Sequence, residues 1–416
     1  MNTSLVKPDQ MLHDEHYRWW LLALAVTTNM IVVAVSSISL SVLLPDITRE
    51  LGLTLVQAGW VWGLYSFPAI FMGLVGGSIG DRFGPRKLLA ISCIVVGLFG
   101  ALRGVANSFA MLALASLLFG IMTSVVSMNN LKMAGMWFYG KQLGLASGLL
   151  AGGMALGFMF GSLSGTYLSA WLGGWRNVFF FLGAVALLFA IPWHFSRATP
   201  QGYKLNAHVE NGKTILEGIK HVAGLRELWL IGFSALAANG AVQGLMGYLP
   251  LYLTGLGWSK ANATLSLTVF TLASAIFVLP ISLWSDRLGS RKIVMLVAQV
   301  FTLAGLVLLA FGQGNLVWPA VALAGLMRDG YMAVMLASVI ESKGVGAALA
   351  GTATGFVMIF IGTGNLLAPP LGNSTAVVSG SMPFVVWMVM VALGLAAVLL
   401  LKGRKKGEVL SEGQEG

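Results

Sequence analysis

Apolar runs of about twenty residues or more alternate with short polar intervals along almost the whole chain. They fall at about 19–44, 54–80, 87–107, 108–131, 142–169 and 177–195, and again at about 229–254, 262–284, 293–312, 316–340, 347–370 and 382–401. A helix rises 1.5 Å per residue, so a run of this length crosses a hydrocarbon core of roughly 30 Å. The pattern predicts twelve transmembrane helices. One long polar interval, 196–228, divides them into six and six. The expected organisation is a polar N-terminal arm (1–18), an N-terminal six-helix bundle (19–195), a central loop (196–228), a C-terminal six-helix bundle (229–401) and a polar tail (402–416). Within the central loop, Ile215, Leu216, Ile219 and Val222 share one helical face, which predicts a short helix lying on the membrane surface.

Composition agrees with this class and narrows it. The chain has 416 residues, 57% of them hydrophobic and only 10% charged, with a mean hydropathy of +0.84. Soluble domains carry about 25% charged residues. The net charge of +10 raises nucleic acid as a partner, but its distribution points elsewhere. Of the Lys and Arg outside the spans' centres, twenty fall on the side of the termini and four (Arg49, Arg103, Arg176, Lys260) on the other. By the positive-inside rule both termini and the central loop are expected in the cytoplasm of a cell-membrane protein. Topology therefore accounts for the basic charge without nucleic acid. Arg103, near the outer end of its span, is expected to snorkel to the interface. The first run is too long for a signal-peptide core and is expected to remain as a span. A single cysteine, Cys93, gives no disulfide or Cys-based metal site. No cluster of His, Cys or carboxylates falls inside a span, so neither an enzyme, a metal nor a cofactor is expected.

The two halves carry an internal echo. Gly77-Ser78-Ile79-Gly80-Asp81-Arg82-Phe83-Gly84-Pro85-Arg86-Lys87 follows the second run, and Ser285-Asp286-Arg287-Leu288-Gly289-Ser290-Arg291-Lys292 follows the eighth, an offset of 286 − 81 = 205. A second echo pairs Ala113–Leu118 with Ala322–Met327, an offset of 322 − 113 = 209. Near-equal offsets mean two homologous halves, and binding sites in such folds lie near mid-membrane between them. The Asp-Arg-x-Gly loops at these two places resemble the signature of the major facilitator superfamily, and the resemblance covers the whole chain. It implies alternating access, with Gly77, Asp81, Arg82, Gly84, Arg86, Asp286, Arg287, Gly289 and Arg291 acting as conformational latches. Two departures matter. The fifth run has Gly144, Gly153, Gly157 and Gly161 spaced like the glycine motif of drug/proton antiporters, but Phe158 stands where that motif places proline. Ser116 stands where the family often places a span-four arginine.

The candidate chemistry centres on Arg328-Asp329. These two charges lie in the middle of the run 316–340, which otherwise holds apolar and small residues and Tyr331. A charge at that depth costs about 3 kcal/mol on insertion scales and over 10 in simulation. A guanidinium presents a planar fork matched to a carboxylate. Arg328 is thus a candidate substrate-binding group, and Asp329, the lone carboxylate deep in a span, a candidate proton-coupling group. The bland alternative is an ion pair that only fixes helix packing. Other candidate substrate contacts, each at mid-depth, are Asn29, Tyr65, Asn129, Asn239, Gln243, Tyr331 and Asn365. Gly362, Gly364, Pro369 and Pro370 around Asn365 predict a broken helix there. The expected function is a secondary transporter of a small organic anion, a carboxylate for preference, coupled to protons if Asp329 titrates, working as a monomer among membrane lipids. A polyspecific drug/proton exporter is the alternative, and a non-transporting receptor a weaker one.

Overall fold

The computed structural model describes residues 8–68, 70–71, 84–138, 141–197, 215–312 and 314–401. Eleven helices among these are long and apolar enough to cross a membrane. The expected second span is described only at its start, Leu55–Ser66, where Thr54 and Gln57 close a reciprocal cap. Its continuation lies outside the described residues, as do the latch positions Gly77, Asp81 and Arg82.

The first span is longer than the hydropathy pattern predicts. Helix begins at Pro8 and runs through a π-helical stretch, Thr28–Val35, to Leu51. Part of the expected polar arm is thus helical, and the helix continues through Pro45. Gly52, in the left-handed conformation with φ 62°, ends it. The fifth span, Lys141–Leu172, packs against this first span along a stripe of small residues. A Cβ at Gly153 would meet Val26 Cγ1 at 2.7 Å, and one at Gly161 would meet Val35 Cα at 2.8 Å. The glycine spacing is therefore spent on close helix contact.

Two spans correct the expected helix breaks. The eleventh, Gly346–Ser374, is continuous through Pro369 and Pro370. Those prolines free the carbonyls of Asn365 and Leu366. Both carbonyls lie against Gly63 of the second span, where a Cβ would stand 2.5 Å from the Leu366 oxygen and 3.3 Å from that of Asn365. The tenth span is the one that breaks, into Val317–Leu326 and Arg328–Ile340 about Met327 at φ −101°, ψ 0°. The central-loop helix forms as Ile215–Ala223, with Val222 buried against the C-terminal half, and His221 Nε2 lies 2.9 Å from the Gly344 carbonyl.

Arg103 does not snorkel. It is fully buried, with its guanidinium carbon 3.8 Å from the centre of the Phe119 ring and 4.5 Å from that of Phe179. Nη2 donates to the Ser36 carbonyl at 3.2 Å, while Nε and Nη1 have no hydrogen-bond partner.

Among the described residues three apolar cores form. One joins residues of both halves, from Ile38 and Trp62 to Leu245, Leu267 and Trp387, all toward the membrane face opposite the termini (the far side). The other two stay within one half each, toward the side of the termini. The halves are therefore welded on the far side. Polar contacts follow the same division: Ser162 with Thr268 at 3.0 Å, Thr166 with Thr264 at 2.8 Å, and Lys260 with Asp46 at 2.5 Å all cross between halves on the far side. Of the latch loops, Arg86 Nε donates to the His194 carbonyl at 2.7 Å, and Arg291 pairs with Glu341 at 3.0 Å, each tying a loop to a helix end within its own half. Gly84 and Gly289 hold positive φ of 73° and 64° at these turns.

Candidate functional site

Between the halves lies a cavity of about 750 Å³. Its far-side floor is Trp62 with Gln243 and Met246, and its walls continue toward the side of the termini as far as Leu131, Ile340 and Ala350. The floor is built by backbone-close packing. The Trp62 ring lies against Gly247 of the seventh span, and its Nε1 donates to the Gln243 carbonyl at 2.7 Å. Small residues at 240, 244 and 247 give that span a face on which bulky rings can seat.

Arg328 is the one charged residue among the described residues lining the cavity. The broken tenth span places it. Gly325 and Gly330 seat this span on the eighth at Phe270 and Ile281, and Ser274 lies between those two contacts. Ser274 Oγ donates to Asp329 Oδ2 at 2.7 Å and accepts from the Asp329 backbone N–H at 3.1 Å. The hydroxyl thus takes up both a carboxylate oxygen and a backbone donor beside the helix break. Arg328 Nη1 stands 3.4 Å from Asp329 Oδ1, a long contact, with the two side chains 21% and 30% exposed. The Phe158 ring centre is 5.2 Å from the Arg328 guanidinium carbon, within range of cation–π attraction. Neither charge is deeply buried, so the cost of holding the guanidinium at this depth is moderated by access to the cavity.

Of the other residues proposed from sequence, Tyr65, Gln243 and Asn365 line the same cavity as Arg328. Gln243 Nε2 donates to Ser66 Oγ at 2.9 Å. Four lie elsewhere. Asn130 Nδ2 donates to Asn29 Oδ1 at 2.8 Å, joining the first and fourth spans. Asn129 Nδ2 and Asn239 Nδ2 donate to carbonyls of their own helices, at 2.8 and 3.0 Å. Tyr331 Oη is 2.8 Å from Ser234 Oγ and accepts from Gln299 Nε2 at 3.4 Å in a buried cluster. Sequence reasoning missed Phe158, read as a departure from a motif, and Ser274, one of many serines. It also missed Trp62; the glycine spacing of the seventh span was the available signal. Among the described residues no three His, Cys, Asp or Glu side chains group as a metal site would require.

The sequence matches the Major Facilitator Superfamily over residues 24–269 and 253–416. The chain belongs to that superfamily. The all-helical, two-half fold described above agrees with it, and the relatives found are transporters and a resistance protein, not enzymes. A probable sulfoacetate transporter of Cupriavidus necator is 33% identical over 101 residues, 24% of each chain. A puromycin resistance protein of Streptomyces alboniger is 29% identical over 110 residues, 26% of this chain and 22% of that one. A lysosomal dipeptide transporter of Bos taurus is 26% identical over 299 residues, 68% of this chain and 63% of that one. The chain thus aligns with about a quarter of the length of the first two relatives and less than two thirds of the third. Among solved structures, a bacterial homologue of the human lysosomal transporter Spinster, inward-facing and unoccupied, superposes with a TM-score of 0.73 at 18% identity, covering 92% of this chain and 96% of that one.

Proposed function

We propose that the protein is a secondary transporter that moves a small organic anion across the cell membrane by alternating access. The observation that carries this reading is a single guanidinium, Arg328, facing a cavity between two halves that meet on the far side. With the termini in the cytoplasm, as the distribution of Lys and Arg favours, the described state opens inward. Tyr65, Gln243 and Asn365 are the proposed neighbours of the anion. Asp329 is the proposed proton-coupling group. Its carboxylate competes with the substrate for Arg328 across 3.4 Å, and protonation would remove that competitor, so that anion and proton bind together. The sulfoacetate transporter among the relatives, named for a compound with two anionic groups, supports an anionic cargo in general. The puromycin resistance protein supports a second reading, export of a cationic or lipophilic drug through the same cavity.

Uptake into proteoliposomes tests this. Losing a hydrogen-bonded charge at a binding site costs about 2–5 kcal/mol, so Arg328→Ala should lower anion uptake at least about thirtyfold while the purified protein remains monodisperse. Asp329→Asn should remove acceleration by an inward proton gradient and leave anion exchange in place. Normal anion uptake by Arg328→Ala, or drug transport indifferent to it, would overturn the anion reading.

A further inference from the structure

The cavity's remaining wall says what kind of anion it suits, an argument that rests on the transport reading above. Arg328 supplies one positive charge, and no second cation among the described residues lines the space. A dianion would therefore bring one charge into a confined site with nothing to pair it. Part of the nearby hydroxyls and amides is committed. Thr123 Oγ1 donates to the Phe119 and Gly120 carbonyls, each at 3.1 Å, and Ser124 Oγ donates to the Gly120 carbonyl at 2.9 Å. Gln243 Nε2 is engaged by Ser66. Ser127, Thr354 and Asn365 are left to meet a ligand's polar groups, fewer side chains than four or five hydroxyls need to replace their hydration. Much of the rest of the wall is apolar and adaptable: Met128, Met154 and Met358, with Phe158, the Tyr65 ring and Leu336. Thioethers on unbranched side chains conform to varied shapes and make favourable contacts with rings. Phe158 also lies over the guanidinium, so an apolar frame attached to the bound anionic group would meet an aromatic face at once.

We propose that the cargo is an amphipathic monoanion, one carboxylate or sulfonate on an aromatic or branched apolar frame, and not a polyhydroxylated acid or a dianion. A volume of about 750 Å³ accommodates a one- or two-ring frame, within the usual range of small-molecule sites.

The test is thermal unfolding of the full-length protein, wild type and Arg328→Ala, with a matched panel at one common millimolar concentration. The panel is phenylacetate (ring and charge), glucuronate (charge with hydroxyls), succinate (two charges), phenylacetamide (ring without charge) and phenethylamine (ring with opposite charge). A bound ligand raises the melting temperature in proportion to the logarithm of its saturation. The expected result is a shift with phenylacetate that Arg328→Ala abolishes, and none with the other four. A second variant, Met154→Gln, should weaken phenylacetate by about fivefold or more in apparent affinity while leaving the unliganded melting temperature near wild type. If glucuronate or succinate stabilises as well as phenylacetate, and Arg328→Ala abolishes it, the apolar-frame inference fails while the anion reading stands. If phenylacetamide or phenethylamine stabilises both proteins alike, the anion reading itself fails. Silence from phenylacetate overturns the inference whatever the other compounds do.

Discussion

Replacing Lys260 with glutamine should open the far-side seam. Lys260 Nζ and Asp46 Oδ1 are 2.5 Å apart and join the eighth span to the first across the two halves. The lysine side chain is half exposed and that of Asp46 only 18% exposed, so water screens the pair substantially and the in-vacuum Coulomb energy is no guide. Exposed pairs contribute about 0.2–1 kcal/mol, and the covered aspartate places this one near the upper end. About 1 kcal/mol changes the ratio of two conformations roughly fivefold. Asp46 keeps Arg49 at 3.2 Å, so the variant leaves no unpaired charge and should fold. The readout is Ser162→Cys, a position that is fully buried at the seam and reachable only when the halves part on the far side. Cys93, the only native cysteine, is buried and can be replaced by alanine to give a clean background. With a membrane-impermeant maleimide added on the far side, labelling should accelerate about fivefold in Lys260→Gln. High salt should reproduce part of that increase in the parent, and Lys260→Arg, which keeps the positive charge opposite Asp46, should leave the rate near the parent's. Unchanged labelling in Lys260→Gln would show that the pair does not hold the seam.

Other substitutions separate folding from state switching. Gly59→Ala places a Cβ 2.8 Å from Pro370 Cα across the halves, so it should hinder far-side closure, accelerate maleimide labelling of the Ser162→Cys reporter and lower uptake. Gly97→Ala meets the Gly183 carbonyl at 2.8 Å within one half and should lower the melting temperature without changing the labelling ratio between the two sides. Arg103→Ala should cost about 2–5 kcal/mol through the cavity it leaves, whereas Arg103→Met should cost under about 1.5 kcal/mol. The orphaned Nε and Nη1 penalise the native residue by about 1–3 kcal/mol each, against about 2 kcal/mol for each desolvated cation–π contact. Equal loss in both variants, measured by thermal or denaturant unfolding, would show that the charge itself is needed. Ser274→Ala releases the Asp329 carboxylate from its 2.7 Å partner, leaving it Arg328 alone, and should weaken anion binding about tenfold by titration calorimetry if the carboxylate competes with substrate.

The fold was legible in the sequence because hydrocarbon imposes a length and a composition on each span, and the duplicated Asp-Arg-x-Gly loops disclose the two halves. Departures arose where a local rule met a tertiary partner. Pro369 and Pro370 spoke for a break, yet the carbonyls they free rest on Gly63, where a side chain would have forced the helices apart. Met327 carries no helix-breaking chemistry, and the interruption there comes from two glycines seated on the eighth span with Ser274 between them. Arg103 was assigned to the interface by its depth, which says nothing of azimuth; only packing shows it turned inward onto two phenylalanines. The cavity lining followed the same division. Arg328 was conspicuous as a charge, whereas Asn29, Asn129 and Asn239 proved to be hydrogen-bonded between helices or within their own, and no periodicity distinguishes such amides from cavity-facing ones.

The seam and the cavity rim are made of different materials, and this bears on how such a protein can change over generations. Gly59 on Pro370, Gly63 on Leu366 and Gly247 on Trp62 are contacts in which a neighbour packed against the backbone leaves no room for a side chain; almost any replacement there forces the packed elements apart. The rim, with Met128, Met154, Met358, Thr354 and Ser127, faces open volume and accepts substitutions one at a time. Substitutions at the rim can therefore change what the cavity accepts while the contacts that join the halves stay as they are.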